Sequence, residues 1–366
     1  GLIHVTRDDG KNWTNVTPKG LPTGGRVNHV EPSRHKPGTA YAAIYRYLLG
    51  DFAPYLYRTD DYGQNWTRLT DGTSGIAADE PTRVIREDPD REGLLYAGTE
   101  FGMYISFDRG TTWQSFQQNL PATPVTNIKV THKDLQLSTQ GRGFWILDNL
   151  TPVHQLNDAI KSASAYLFTP KPALRTRIAA SGGFGNRVLT QYPRAGAQID
   201  YYLPKAAEGD VTLEFIDSTN TVVARFTSAA AAAIEAASAS GGDDEDGPRR
   251  APPIPRLAKT AGQHRFTWDI RYPGAWVNEA TPAGPNGPTA VPGQYTARLT
   301  ANGTTLTQPV TLLADPRVTA DGVTQADFEE QFAHNIKTRD LVSDVNKVVA
   351  KVRASQAGLK EATGAN

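Results

Sequence analysis

The chain has 366 residues, with 38 Lys plus Arg against 38 Asp plus Glu, so its formal net charge is zero. A net charge of zero gives no attraction to nucleic acid or to an anionic membrane, and no apolar run is long enough to span a bilayer. The absence of cysteine excludes disulfides, thiol catalysis and cysteine-ligated zinc, while 33 Gly and 25 Pro suit a turn-rich β protein.

An eight-residue motif recurs three times in the first third of the chain. Its common form is Ser/Thr-x-Asp-x-Gly-x-Thr/Asn-Trp, and the copies cover residues 6–13, 59–66 and 106–113. The final tryptophans stand 53 and 47 residues apart, a period that indicates a repeat architecture. Each copy lies between two strand-like runs, which predicts a hairpin with its turn inside the motif.

Three residue types carry the physical role of the motif. The aspartate can accept hydrogen bonds from backbone N–H groups of the turn, and the glycine allows a positive φ. The tryptophan is large enough to fill a gap between neighbouring sheets. The residues in these roles are Asp8, Gly10 and Trp13 in the first copy, Asp61, Gly63 and Trp66 in the second, and Asp108, Gly110 and Trp113 in the third.

The motif resembles the Asp-box, also called the bacterial neuraminidase repeat. The resemblance implies a β-propeller with four-stranded blades, in which the box is a structural feature of the outer rim. Residues 54–59, 93–102 and 139–148 also resemble bacterial exported proteins known as sortilin-like or BNR-repeat glycosyl hydrolase-like proteins. That resemblance implies a secreted, periplasmic or cell-surface protein, in a group whose activity is generally unassigned.

Residues 1–156 are therefore predicted to be the C-terminal blades of a partial Asp-box propeller. The first strand-like run, at residues 1–5, reads as the third strand of a blade, and residues 125–147 read as a last blade of three strands. A propeller cannot close with so few blades because its edges would stay unpaired. We expect the N-terminal remainder of the same propeller, in the same or a cleaved chain, to be a partner.

The region after the blades changes pattern. Residues 157–195 read as a connector, and the short alternating strands of 196–318 predict an immunoglobulin-like β-sandwich. Residues 292–299 resemble the Ig-like module of flagellar hook-capping proteins. A low-complexity insertion at about 228–262 interrupts this module, and its acidic residues 243–246 read as a mobile loop or, alternatively, a calcium loop.

Residues 319–366 are predicted to be a helical C-terminal segment. Thr324 and Asp327 resemble a capping box, and apolar residues follow at helical spacing. The apolar residues on this face are Phe328, Phe332, Ile336, Leu341, Val345, Val348 and Val352. We expect the face to pack on the sandwich, on the propeller or on a second helix.

Candidate site residues come from loops that would meet at the mouth of a propeller channel. The candidates for ligand binding are Arg26, Arg46, Tyr47 and Arg142, and the candidates for catalysis are Asp51 and Glu100. Arg142 could bind a carboxylate or phosphate with two hydrogen bonds, or form a salt bridge between blades with Glu100 or Asp148. Glycosidase chemistry needs two carboxylates flanking the scissile bond, a role that Asp51 and Glu100 could fill.

Two functions stay open from the sequence. The first is an extracytoplasmic protein-interaction scaffold that binds other proteins or glycans, as a homo-oligomer or in a multi-chain assembly. The alternative is a glycoside hydrolase acting with a carboxylate pair at the channel mouth. None of the seven His has a partner at metal-ligand spacing, so the sequence predicts no metal site and no cofactor.

Overall fold

The computed structural model of the chain is mainly β and confirms the predicted fold class, a partial propeller followed by a β-sandwich and a C-terminal helix. It describes residues 1–176, 195–229, 256–279, 283–284 and 286–364. The chain divides into two compact units, Gly1–Leu150 and Thr151–Asn366. Most of the predicted insertion over 228–262, with its acidic residues 243–246, lies outside the described residues.

Four antiparallel sheets, here called blades 1 to 4, follow one another in the first unit. Blade 1 contains β1 (His4–Val5) and β2 (Thr14–Asn15). Blade 2 contains β3 (Arg26–Pro32), β4 (Ala40–Arg46), β5 (Asp51–Thr59) and β6 (Thr67–Arg68). Blade 3 contains β7 (Thr82–Glu87), β8 (Leu95–Thr99), β9 (Met103–Ser106) and β10 (Gln114–Ser115). Blade 4 contains β11 (Val125–Thr131), β12 (Asp134–Thr139) and β13 (Phe144–Leu147). Strand order follows chain order in every blade.

The central strands of the blades are buried on both faces. Successive side chains of a strand point to opposite faces, so one strand can serve two interfaces. In β4, Ala42 and Ile44 join an apolar cluster with Ile3 of blade 1. Tyr41 and Ala43 join a different cluster, with Leu95 and other residues of blade 3. This double burial explains why β4 reads as an unbroken apolar run.

The three motif turns have the same internal hydrogen bonds. In each copy one aspartate oxygen accepts from the backbone N–H four residues later at 2.9 Å. The other oxygen accepts from that residue's side chain at 2.6–2.7 Å. The glycine N–H donates to the motif's first hydroxyl at 2.9 Å, and its φ lies between 85° and 87°. The carboxylates therefore close the turns.

The three motif tryptophans, in contrast, have different environments. Trp113 is buried in the cluster between blades 2 and 3, and Trp66 donates its indole N–H to the Val16 carbonyl of the blade before it at 2.6 Å. Trp13 is 60% exposed, and its indole N–H bonds within its own turn, to Gly10. No other sheet within the described residues packs over Trp13, so its predicted role between sheets stays a prediction.

One arginine ties three consecutive blades together at their inner strands. Arg86 of β7 forms an ion pair with Glu31 of β3 in blade 2. Its Nε donates to the Ile128 carbonyl of β11 in blade 4 at 2.8 Å, and its Nη2 reaches Asn127 Oδ1 at 3.3 Å. Burial raises the pKa of Glu31 above its ordinary value, and Arg86 opposes that shift. Burial and Arg86 together lower the pKa of the neighbouring His29 to about 4.

The second unit contains two packed sheets. The three-stranded sheet has β14 (Tyr166–Leu167), β16 (Ala197–Leu203) and β19 (Gly262–Trp268). The five-stranded sheet has β15 (Ala173–Arg175), β21 (Thr304–Ala314), β20 (Gly293–Ala301), β17 (Thr212–Ile216) and β18 (Val222–Thr227). Their facing side chains form one apolar core, in which the rings of Trp268 and Phe215 stack at 4.3 Å between centroids.

The prediction of a plain connector over 157–195 is wrong for the described part of that segment. After α1 (Thr151–Gln155) and α2 (Asp158–Ser162), the chain enters β14 and β15. β14 pairs with β16, and β15 runs parallel to β21, so both strands belong to the sandwich. Strands of two and three residues are too short to show an alternating pattern, which is why the sequence missed them.

The C-terminal segment contains α3 (Pro316–Ala320) and the 39-residue α4 (Gln325–Thr363). The predicted cap forms at Thr324, whose backbone N–H and hydroxyl both donate to Asp327 Oδ2 at 2.7 Å. The prediction of one apolar face is wrong, because Phe328 is buried and the Phe332 ring lies 4.7 Å from that of Tyr272, whereas the later apolar residues, Leu341, Val345, Val348 and Val352, are exposed. No helix within the described residues is long and apolar enough to cross a membrane.

Candidate functional site

The loop between β4 and β5 of blade 2 is held in shape by its own side chains. A 3-10 turn, Tyr47–Leu49, is followed by Gly50 at a φ of 76°. The Nε of Arg46 lies 2.6 Å from Asp51 Oδ2, and the Tyr55 hydroxyl donates to the same oxygen at 2.8 Å. These bonds join the end of one strand to the start of the next.

Arg46 and Asp51 have little hydrogen-bonding capacity left for a ligand. Arg46 also donates to the carbonyl of Pro22, at 2.7 Å, and to that of Thr23. The second oxygen of Asp51 accepts from the Ala53 backbone N–H at 3.2 Å. Partial burial would raise the pKa of Asp51, but the hydrogen bonds from Arg46 and Tyr55 outweigh it and hold the pKa below its ordinary value.

A second ion pair lies beside this loop, on blade 3. Arg83, near the start of β7, places its Nε 2.6 Å from Glu100 Oε1. Its Nη2 also donates to the Tyr47 hydroxyl at 3.2 Å, which links blade 3 to the loop of blade 2. Both partners of this pair are mostly buried, with 13% of Arg83 and 16% of Glu100 exposed. Glu100 therefore pairs with Arg83 and not with Arg142, for which it was one of two salt-bridge partners considered.

Aromatic rings and cations stack next to the Arg83 pair. The rings of Tyr45 and Tyr47 stack at 4.9 Å between centroids, with an angle of 30° between their planes. The guanidinium carbon of Arg83 lies 5.6–5.7 Å from both ring centroids, and that of Arg26 lies 5.9 Å from Tyr45. These distances allow cation–π attraction, so Tyr47 is fixed by stacking, by charge and by a hydrogen bond. Arg26 itself is exposed.

A cleft of about 440 Å³ opens at this point. Its principal lining residues are Tyr47, Phe52, Pro81, Glu100, Phe101 and Pro124. They come from the β4–β5 loop and the start of β5 in blade 2, the β8–β9 loop of blade 3 and the connections that precede β7 and β11. Phe52 is 53% exposed and Phe101 57% exposed, so two phenylalanine rings stand at the cleft with much of their surface in water.

Backbone hydrogen bonds hold the far side of the cleft. Glu100 N–H donates to the Pro81 carbonyl at 3.0 Å, and Thr123 N–H donates to the Phe101 carbonyl at 3.3 Å. The Phe101 N–H itself donates to the Thr99 hydroxyl at 3.2 Å. The β8–β9 loop is thus tied to the connections before and after it, and the Phe101 ring projects from an anchored backbone.

The structure brings some of the predicted residues together and leaves others apart. Tyr47 and Glu100 line the cleft, whereas Arg46 and Asp51 support its loop from behind. Arg142 is exposed in the β12–β13 turn between two glycines with positive φ, and it is not among the residues that line this cleft.

The sequence reasoning missed Arg83, Phe52 and Phe101. Arg83 had no repeat signal, because it falls in the register shift between Thr82 and Val84, and β3 has Asn28 at the matching shift between Val27 and His29. The two phenylalanines had none either, since their exposure depends on how loops of different blades meet.

Comparisons with known proteins add little to this picture. No protein-family model matches the chain, and no curated protein matches it. Among solved structures, it is similar to a GH74 xyloglucanase from Xanthomonas campestris, with 18% identity, a TM-score of 0.31 and coverage of 40% of this chain and 24% of that chain.

Two further structures are similar at 10% identity. For a GH74 enzyme from Niastella koreensis the TM-score is 0.28, with 78% of this chain and 38% of that chain covered. For the extracellular domain of a one-component system from B. thetaiotaomicron it is 0.25, with 81% and 37% covered. The chain thus spans less than two fifths of the length of each neighbour.

Proposed function

We propose that the chain is a protein-interaction scaffold acting outside the cytoplasm, and that its cleft binds an extended segment of a partner protein. The observation that carries the proposal is the pair of half-exposed rings, Phe52 and Phe101, at a cleft with anchored walls. The proposed location outside the cytoplasm rests on the resemblance of the sequence to sortilin-like exported proteins.

The chemistry of the cleft favours an apolar peptide ligand. Exposed aromatic side chains at a concave site are typical of binding hot spots, which gain affinity by excluding water. Leu48 and Leu49, in the turn beside Tyr47, are also exposed and extend the apolar surface. An arriving side chain could bury these groups without breaking any hydrogen bond described above.

The alternative, a glycoside hydrolase, needs one carboxylic acid that is protonated at working pH. The lowered pKa of Asp51 keeps that group ionised, and its oxygens already accept hydrogen bonds from Arg46, Tyr55 and Ala53. Glu100 is held by Arg83. The two predicted catalytic residues are therefore engaged in supporting loops, and the binding function is the better supported one.

The experiment replaces the two rings and measures peptide binding. A random library of 15-residue peptides is selected against the full chain, and the best peptides are measured by fluorescence anisotropy. Truncating a hot-spot aromatic costs about 2 kcal/mol, so we expect Phe52→Ala and Phe101→Ala each to weaken binding about 30-fold. Phe144→Ala is the matched control, since Phe144 is 87% exposed on β13 and does not line the cleft.

Two results would contradict the proposal. One is selection of peptides whose affinity is unchanged by both cleft variants, or falls equally with Phe144→Ala. The other is hydrolysis of a plant polysaccharide by the chain that disappears in Asp51→Asn or Glu100→Gln, which would establish the hydrolase instead. Because the two phenylalanines are half exposed, their removal leaves folding intact, and circular dichroism verifies this.

A further inference from the structure

The second half of α4 carries an apolar stripe that nothing in the described chain buries. Its members are Leu341, Val345, Val348 and Val352, which are between 50% and 65% exposed. Their spacing of four, three and four residues is the a/d pattern of a coiled coil. A single helix in water gains nothing from such a stripe, because the pattern stabilises a helix only through a partner.

Contacts with the sandwich hold α4 on a different side. Phe328 is buried and lies 4.7 Å from the guanidinium of Arg175. Further along, Ser343 Oγ accepts from the Trp276 backbone N–H at 3.0 Å, and Asn346 Nδ2 donates to the Trp276 carbonyl at 2.7 Å. The helix is thus fixed to the sandwich as far as Asn346, with the stripe facing away from these contacts.

We propose that a second copy of this chain covers the stripe, through an antiparallel pairing of the two α4 helices. With Val345 facing Val348 of the second copy, Leu341 faces its Val352, and the same contacts repeat by two-fold symmetry. An isologous interface of this kind needs only one self-complementary surface.

The charges beside the stripe favour this orientation. In the antiparallel register Asp344 lies opposite Lys351 of the second copy, so each dimer contains two opposite-charge pairs. On the other flank, Val342 meets Val349 of the second copy, and both are exposed in the single chain. A parallel pairing would instead set Asp344 opposite Val349 and Lys351 opposite Gln356, with no charge pair on either flank.

The expected dimer is weak. The next positions of the heptad pattern on either side of the four apolar residues are polar, Thr338 and Ser355, so the apolar seam ends there. The sandwich already orders the helix, which reduces the entropy lost on pairing. A seam this short still predicts dissociation at roughly micromolar concentrations.

The test uses the full chain in sedimentation velocity runs from about 1 to 300 µM. We expect a shift from monomer to dimer, at least a tenfold weakening in Asp344→Lys and in Lys351→Asp, and recovery in the double variant Asp344→Lys/Lys351→Asp. Arg353→Asp is the matched control, because its side chain is exposed outside the seam and the change should leave dimerisation unaltered. All four are surface substitutions, so folding is preserved.

The natural absence of cysteine allows spin labels to report the orientation. An α-helix rises 1.5 Å per residue. In the antiparallel register the two labels of a Lys347→Cys dimer are therefore offset by about 1.5 Å along the helix axis, and the two labels of a Gln356→Cys dimer by about 29 Å. A parallel dimer would give equal distances at both sites. A chain that stays monomeric throughout, a double variant that fails to recover, or equal label distances would each overturn the proposal.

Discussion

Arg86→Met removes the guanidinium that joins blades 2, 3 and 4, while it keeps an unbranched apolar stem. In the native chain this group pairs with Glu31 and donates to the Ile128 carbonyl and to Asn127. Only 9% of the Glu31 side chain is exposed, so the substitution leaves a buried carboxylate without its Arg86 partner.

The magnitude follows from the burial of the pair. Removing one partner of a buried ion pair costs about 3–5 kcal/mol, whereas an exposed pair is worth about 0–1 kcal/mol. Arg86 is 23% exposed, so water partly screens the pair. We expect Arg86→Met to lower the free energy of unfolding of the first unit by about 2–3 kcal/mol.

The loss should depend on pH. The pKa of Glu31 is raised in the folded state, so the folded chain binds more protons than the unfolded chain above the ordinary pKa, and stability falls as pH rises through that range. Removing Arg86 raises the pKa of Glu31 further. Burial and Arg86 together lower the pKa of His29 to about 4, so the substitution also removes the smaller of these two causes. Arg86→Met should therefore be closer to the native chain in stability near pH 4.5 than at pH 7.

The assay is urea unfolding of the full chain, followed by hydrogen exchange in peptides from β3, β7 and β11. These peptides report the first unit separately from the sandwich. Lys133→Met is the matched control, because Lys133 and Asp90 form an ion pair in the same unit at 3.4 Å that is more than 40% exposed on both sides. Equal losses in the two variants, or a loss that is the same at both pH values, would refute the reasoning.

Two further predictions concern the turns. Gly75→Ala should lower the free energy of unfolding by more than about 2 kcal/mol, because the added Cβ would lie 2.0 Å from the Trp113 carbonyl oxygen. The control is Gly20→Ala, which also has a positive φ but has open space around the added Cβ. Urea unfolding should show a loss of only about 1 kcal/mol for this control. Asp108→Asn should destabilise the chain at pH 7. Hydrogen bonds from Thr112 outweigh partial burial and lower the Asp108 pKa, so this difference should vanish as pH falls below 3.8 through the lowered pKa; a difference that persists there would contradict it.

The blades were predictable because they repeat. The motif marks a turn, the turn implies two flanking strands, and the period sets the size of the blade. The three aspartates could be assigned to the turn from the octapeptide alone, since each bonds inside its own copy. The environment of the tryptophans could not, because it depends on the neighbouring sheet. Trp113 is buried and Trp13 is 60% exposed although their local sequences match.

The cleft was only partly predictable for the same reason. Loop position placed Tyr47 and Glu100 at the channel mouth, and both line the cleft. Their partners could not be read from one sequence, because Arg83 stands 17 residues from Glu100 and 36 residues from Tyr47. The sequence offered several charges that Glu100 could meet, and the pairing of β7 with β8 inside blade 3 brings Arg83 next to it.

The cleft is formed by loops, which can differ between blades, and not by the strands and turns that recur in each blade. Blades must share the strand and turn residues that let them stack, so the motif aspartates are confined to closing turns. The β4–β5 loop of blade 2 has a 3-10 turn and an Arg46–Asp51 pair, whereas the equivalent loop of blade 3 is the short segment with Glu100 and Phe101. The groups that can contact a ligand lie where the two loops differ. The ligand specificity that we propose for the cleft therefore depends on the irregular loops and not on the three motif aspartates.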